Sequence, residues 1–228
     1  DYEKATSSVY AFSNESTDEE MLKFAQEYST VCDRYGISWG IAESGTSNFE
    51  TAVSNSDSDT YERALFMARF MINMINGGCT NIKYFVFSDC YYDGNLNELG
   101  LFRFKHDNWK AKPVWYSWSL ITRYTDFGSE IYPIASSAEG VSAVAFKLPD
   151  GAWSYMLTNS SSSTKRVAVV NTRDDRPEKL NLYRLTGSSV PENGALELIA
   201  KSDEISAENM AAHVILSPNS FVVLSDKS

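Results

Sequence analysis

Gly36-Ile-Ser-Trp-Gly-Ile-Ala-Glu-Ser-Gly45 is the stretch on which the reading of this chain turns. Ile37, Trp39 and Ile41 alternate with Ser38, Gly40 and Ala42, the period of a strand with one buried face. The run ends on a carboxylate, Glu43, followed by a turn of small residues. In parallel α/β folds, ligands gather at the carboxyl ends of the strands. A glutamate there, with helical sequence before and after it, is expected to carry chemistry rather than to hold the fold together. Alternation places Glu43 on the face of Ile37, Trp39 and Ile41. If those apolar residues fill a barrel interior, Glu43 stands at its mouth.

Upstream, Met21, Ala25, Tyr28 and Cys32 repeat at helical intervals, and Ser16 with Glu19 has capping-box spacing, which predicts a helix from Thr17 to Asp33. Downstream, the polar residues 46–58 read as a loop. A second helix is expected from Asp59 to Ile75, with Glu62 completing its cap and Gly77-Gly78 stopping it. Ile82-Lys-Tyr-Phe-Val-Phe-Ser-Asp89 reads as another buried strand. A long aromatic loop from Cys90 to Trp109 leads to a third helix with Pro113 near its first turn. Trp115, Trp118, Ile121 and Tyr124 are its expected buried stripe. Helix, strand, helix, strand, helix is repeated α/β construction with parallel strands. Two such strands cannot bury both faces alone, so this region is expected to be the end of a larger sheet.

Composition changes near residue 135. Beyond it, Val141–Phe146, Trp153–Thr158, Lys165–Val170, Leu180–Leu185, Leu196–Ala200, His213–Leu216 and Phe221–Leu224 read as short strands. Turn sequences such as Pro149-Asp-Gly and Pro191-Glu-Asn-Gly separate them, which suggests an antiparallel sandwich. The expected division is therefore 1–135, α/β, and 136–228, all-β.

Apolar residues make up 43% of the 228 and aromatics 13%, enough for a packed core. A net charge of −10 argues against nucleic acid or an anionic membrane surface and leaves a neutral ligand as the better guess. No apolar run approaches the ~20 residues of a membrane span. The three cysteines form no C-x-x-C pair and only His106 and His213 accompany them, so no metal site is expected. Asp1-Tyr-Glu-Lys lacks the apolar core of a signal peptide, which leaves the compartment open.

Tyr84-Phe-Val-Phe-Ser-Asp89 and its continuation Cys90-Tyr-Tyr-Asp-Gly94 resemble the last barrel strand of retaining glycoside hydrolases, those of family 39 in particular. Gly100-Leu-Phe102 and Lys112-Pro113, with Trp115, Tyr116 and Trp118 behind them, are similar to the elements that follow that strand in the family. The Glu43 strand resembles the nucleophile strand of the wider superfamily, clan A. The segment ending Leu216-Ser-Pro-Asn-Ser-Phe-Val-Val-Leu224 is similar to the sandwiches appended to such barrels. The family's tryptophan is Phe85 here, a ring that can still stack on a sugar but without an indole donor.

The resemblance implies the C-terminal part of a (β/α)8 TIM barrel followed by an antiparallel β-sandwich. It makes Glu43 the nucleophile and Phe85, Asp89 and Tyr91 the candidates for the substrate, which would be a carbohydrate. Asp89 also has a structural reading, as an acceptor for loop amides. Phe87 is expected in the core, and Ser44 is a candidate donor to the Glu43 carboxylate. No cofactor is implied, and a secreted or cell-surface setting is favoured. Retaining hydrolysis needs two carboxyl groups roughly 5–5.5 Å apart. In the family the acid/base is a glutamate after an asparagine at the end of an earlier strand. Asn14-Glu15 and Asn97-Glu98 do not follow apolar strands and read as surface. The acid/base and about six strands of an eight-stranded barrel would therefore lie upstream of Asp1. The alternatives are a non-catalytic carbohydrate-binding or structural module and an inactive homologue.

Overall fold

The computed structural model describes residue 12 and residues 16–45 and 59–227. The expected loop over 46–58 and Asn14-Glu15 lie outside them. Helix α1 spans Asp18–Asp33, strand β1 Gly40–Ser44, helix α2 Tyr61–Asn76 and strand β2 Asn81–Tyr84. A short hairpin follows, β3 Cys90–Tyr92 with β4 Asn95–Asn97, and then helix α3, Pro113–Arg123. Eight strands complete the chain: β5 Glu130–Ile134, β6 Val141–Lys147, β7 Trp153–Asn159, β8 Lys165–Val170, β9 Lys179–Leu185, β10 Lys201–Glu208, β11 Ala211–Leu216 and β12 Ser220–Ser225.

Local chemistry sets the helix starts one or two residues from where spacing put them. Thr17, not Ser16, caps α1. Its hydroxyl accepts from the Glu20 amide while the Glu20 carboxylate accepts from the Thr17 amide at 2.8 Å. Thr60 caps α2 in the same way, accepting from Arg63. Pro113 opens α3, where its missing N–H costs nothing.

α2 is buried continuously from Ala64 to Met74, as a helix enclosed on all sides must be. That enclosure takes in Arg69 and Asn73, so both are paired. Arg69 donates to Asp18 Oδ1 at 3.0 Å and to the Ser16 carbonyl at 2.8 Å, and Asn73 donates to the same Asp18 oxygen at 3.1 Å. Gly77 lets α1 approach, since a Cβ there would run into Ala25. Gly77→Ala is therefore expected to cost about 1–3 kcal/mol, read as a lower denaturant midpoint at unchanged slope.

β5 to β12 form one eight-stranded antiparallel sheet in the order β5-β6-β7-β12-β9-β10-β11-β8. The sheet curls. Val169 of β8 and Ala212, Val214 and Leu216 of β11 share a core with Val222 and Leu224 of β12 and Leu157 of β7. The opposite face of the same strands, Val144, Met156, Phe221 and Val223, packs against the helices. β6, β7 and β12 are thus apolar on both faces and read as continuous runs, whereas β8 alternates. Two strands differ from expectation. β5 starts at Glu130, ahead of the break placed at 135, and its Pro133 sits where a proline is tolerated, in an edge strand. The strand expected at Leu196–Ala200 is instead Lys201–Glu208, a polar sequence in which only Ile205 and Ala207 pack against the core.

Inside the curled sheet the Tyr155 hydroxyl accepts from Asn171 Nδ2 at 2.7 Å, and burial pushes its pKa up to about 12. An unfolded tyrosine ionises near pH 10. The raised folded value means a stabilising contribution that is complete below that pH and lost as pH climbs toward 12. Buried Tyr61 and Tyr124 shift in the same direction. Stability is expected to fall in that alkaline window, and Tyr155→Phe to remove up to about 3 kcal/mol of the decline. Urea titrations stepped through the window would show it.

Candidate active site

β1 and β2 pair in parallel, Gly40 opposite Asn81 and Ile41 opposite Ile82. Gly40 is required for this approach, because a Cβ there would meet the Asn81 carbonyl. Trp39 and Ile41 do not fill a barrel interior as alternation suggested. They face the helices: Trp39 Nε1 donates to Ser29 Oγ of α1 at 2.7 Å and its ring lies 5.4 Å from Tyr28, while Ile41 joins the helical core. Ile37 is exposed.

The register then slips. Ser44 pairs with Tyr84, so Ala42 and Glu43 together oppose the single residue Lys83. Such a bulge re-aims the side chains around it. Here it buries Ile41 and Ser44, three residues apart, and leaves Ala42 and Glu43 exposed. Glu43 thus reaches the open side of β1 through a bulge, not by sharing a face with Ile41. Ser44, expected as a donor to Glu43, spends its hydroxyl on the Lys83 carbonyl at 2.9 Å. Among the described residues nothing hydrogen-bonds the Glu43 carboxylate.

The neighbouring strand ends early. β2 stops at Tyr84; Phe85 N donates to the Ser44 carbonyl at 2.6 Å, and the Phe85–Val86 peptide is cis. Phe85 is 40% exposed beside the end of β1. Phe87, expected in the core, is 67% exposed, because strand alternation does not continue past Tyr84. It lines a groove of about 450 Å³ with Trp115 and Trp118. Those two tryptophans are only half-buried; Ile121 and Tyr124 are buried as expected, and Val114, Tyr116 and Leu120 complete the inner face of α3.

Asp89 takes the structural alternative. It is 3% exposed, and its Oδ1 accepts from Lys112 Nζ at 2.6 Å and from the Gly100 amide at 2.9 Å. Lys112, 1% exposed at the start of α3, also donates to the Glu98 carbonyl at 3.0 Å. Glu98 is half-buried rather than a surface residue. The pair ties the two ends of the β3–β4 hairpin to the start of α3, with Gly100 pressed so close to Asp89 that no side chain fits there. An aspartate enclosed in this way anchors the loop. Tyr91 stays on the outside, exposed on β3 with its ring edge-on to Phe104 at 5.1 Å.

Two participants escaped the sequence reading. Arg103 pairs with Asp59, just ahead of α2, and burial pushes the Asp59 carboxyl up despite that partner. Lys112 was seen only as the residue before a helix-opening proline. The signal was the basic run Arg103, Lys105, His106, Lys110 and Lys112 in a chain of net charge −10. Of the cysteines, Cys79 is buried and Cys32 and Cys90 are half-buried, all free thiols. Among the described residues no group of His, Cys, Asp and Glu is placed to hold a metal ion, and no helix is long and apolar enough to cross a membrane.

No protein-family profile and no curated protein matches the sequence. Solved structures do match the fold. The family 30, subfamily 8 xylanase Xyn30A of Clostridium acetobutylicum superposes with a TM-score of 0.66 at 12% identity, over 86% of this chain and 44% of that one. A family 30 endoxylanase of Clostridium papyrosolvens C71 gives 0.62 at 13% identity, over 94% and 47%. A family 44 endoglucanase of Clostridium acetobutylium gives 0.58 at 13% identity, over 88% and 35%. The fold is therefore one found in glycoside hydrolases of families 30 and 44. The chain spans less than half the length of each of these enzymes.

Proposed function

We propose that the chain is the C-terminal part of a retaining glycoside hydrolase. β1 and β2 are the closing strands of a (β/α)8 barrel, and the curled sheet is its accessory sandwich. Glu43 attacks the anomeric carbon and the leaving oxygen takes a proton from a second carboxyl group on an earlier strand. The glycosyl-enzyme is then released by water that the same second group activates. Phe85 offers a ring beside the end of β1, and Tyr91 a second one on the loop beyond.

The observation that carries this reading is the bulge at Ala42-Glu43, which turns a carboxylate to the open side of a parallel strand at its carboxyl end. The open face supports the rest: Gly40, Ala42, Asn81 and Lys83 are exposed opposite the helices, as barrel strands without their neighbours would be. Family 30 enzymes, which the fold resembles, include xylanases, so a β-linked polysaccharide is the substrate class to try first.

Two results are expected. The full-length protein releases its first product with the anomeric configuration of the substrate, observed by NMR before mutarotation; an inverted product would contradict Glu43 as nucleophile. The 228-residue chain alone holds one of the two carboxyl groups and leaves aryl glycosides intact. Turnover by the isolated chain would refute the division of the site.

A further inference from the structure

Residues 103–112 make a closed loop at the same end of the parallel strands as Glu43. Arg103 N donates to the Lys110 carbonyl and Lys112 N to the Leu101 carbonyl, both at 2.9 Å, and Ala111 N donates to the Gly194 carbonyl at 2.9 Å. A turn of 3₁₀ helix, Lys105–Asp107, fills the interior, and the chain returns through Asn108 and Trp109, both left-handed at φ 57° and 55°. Asparagine tolerates that region. A bulky tryptophan there is an outlier, and such outliers persist only where the surroundings fix them, which is common at ligand clamps.

The effect of the geometry is to hold an indole out. Trp109 is 46% exposed and rests against Phe104, centroids 6.2 Å apart. Phe104 also carries Tyr91 at 5.1 Å and His106 at 5.5 Å. One half-buried ring therefore contacts three exposed ones, His106 and Trp109 on this loop and Tyr91 on β3. The exposed set is Trp109, Tyr91 and His106, with the Lys105 ammonium 5.5 Å over the Phe104 ring that joins them. Flat rings suit a pyranose, whose axial C–H groups cover one face and whose hydroxyls point around the rim. They suit a protein partner less well, since that would want mixed apolar cover.

We propose that Trp109, braced by Phe104, is a stacking platform for a sugar unit remote from the bond that Glu43 attacks. The assignment deepens the glycosidase reading and rests on it. Chain-length dependence follows: longer oligosaccharides reach the platform and shorter ones do not.

The test uses the full-length protein with Trp109→Gly, which removes the indole yet suits the left-handed backbone, and Trp109→Phe, which keeps a ring. Binding of xylohexaose and cellohexaose is measured by calorimetry, alongside KM for hexasaccharides and disaccharides. W109G is expected to weaken binding of at least one hexasaccharide about tenfold, with a smaller loss for the disaccharide, and W109F to recover most of it. Unchanged hexasaccharide affinity in W109G, or no binding by the parent protein, overturns the platform even if hydrolysis proceeds. Trp109-dependent binding without any hydrolysis keeps the platform and removes the glycosidase reading instead.

Discussion

Glu43→Gln in the full-length protein is expected to lower kcat by on the order of a thousandfold or more while the sugar still binds. Glutamine has nearly the shape of glutamate, so whatever contacts the side chain makes are kept. In the proposed mechanism it lacks the charge that would attack the anomeric carbon and the stability as a leaving group that would let water finish the second step. Glu43 is exposed and lies outside both cores. The substitution should therefore move unfolding by less than about 0.5 kcal/mol, which separates lost chemistry from lost fold. Retained binding with lost turnover is the predicted pattern. Turnover unchanged by the substitution would assign the chain to a binding or supporting module.

Lys112→Met carries the largest expected effect on stability, about 3–5 kcal/mol, because it leaves the Asp89 carboxylate buried against the Gly100 amide with no cation beside it. Asp89→Leu is expected to cost a similar amount, because it takes away the carboxylate that accepts at 2.6 Å from an ammonium 1% exposed. The two losses should not add. Replacing both partners removes both uncompensated charges, so the double variant should be more stable than either single one. Chemical denaturation of the four proteins gives the coupling. Additive losses would show that the pair is not the buried unit described above. The same pair pins the loop that carries Tyr91, so single variants should also weaken oligosaccharide binding, whereas the double variant recovers stability first.

Much of this arrangement was legible in the residues, and the failures have identifiable causes. Capping chemistry, helical periodicity and the Pro113 start located the starts of all three helices to within two residues, because those signals are local. The paired runs Trp153–Asn159 and Ser220–Ser225 announced themselves by β-branched and aromatic content. Strand β10 did not, since Lys-Ser-Asp-Glu-Ile-Ser-Ala-Glu owes its place to pairing with β9 and β11 rather than to its own pattern. At the site, the end of β1 was located correctly but its facing was not. A bulge is a relation between two strands, and nothing within Gly36–Gly45 shows that Ala42 and Glu43 must share one partner. The face filled by Trp39 and Ile41 was misjudged for the same kind of reason. A buried strand looks alike whether it packs on helices or on barrel strands. Asp89 could be read either way until Lys112, distant in sequence, was seen to close on it.

Labelling the nucleophile tests the central claim most directly. The full-length protein is incubated with a fluorinated glycoside whose second step is slow, digested, and its peptides sequenced by mass spectrometry. The peptide containing Glu43 should carry the sugar as an ester on that residue, and Glu43→Gln should abolish the label. An ester on any other carboxylate, or hydrolysis with inversion and no adduct at all, would contradict the assignment.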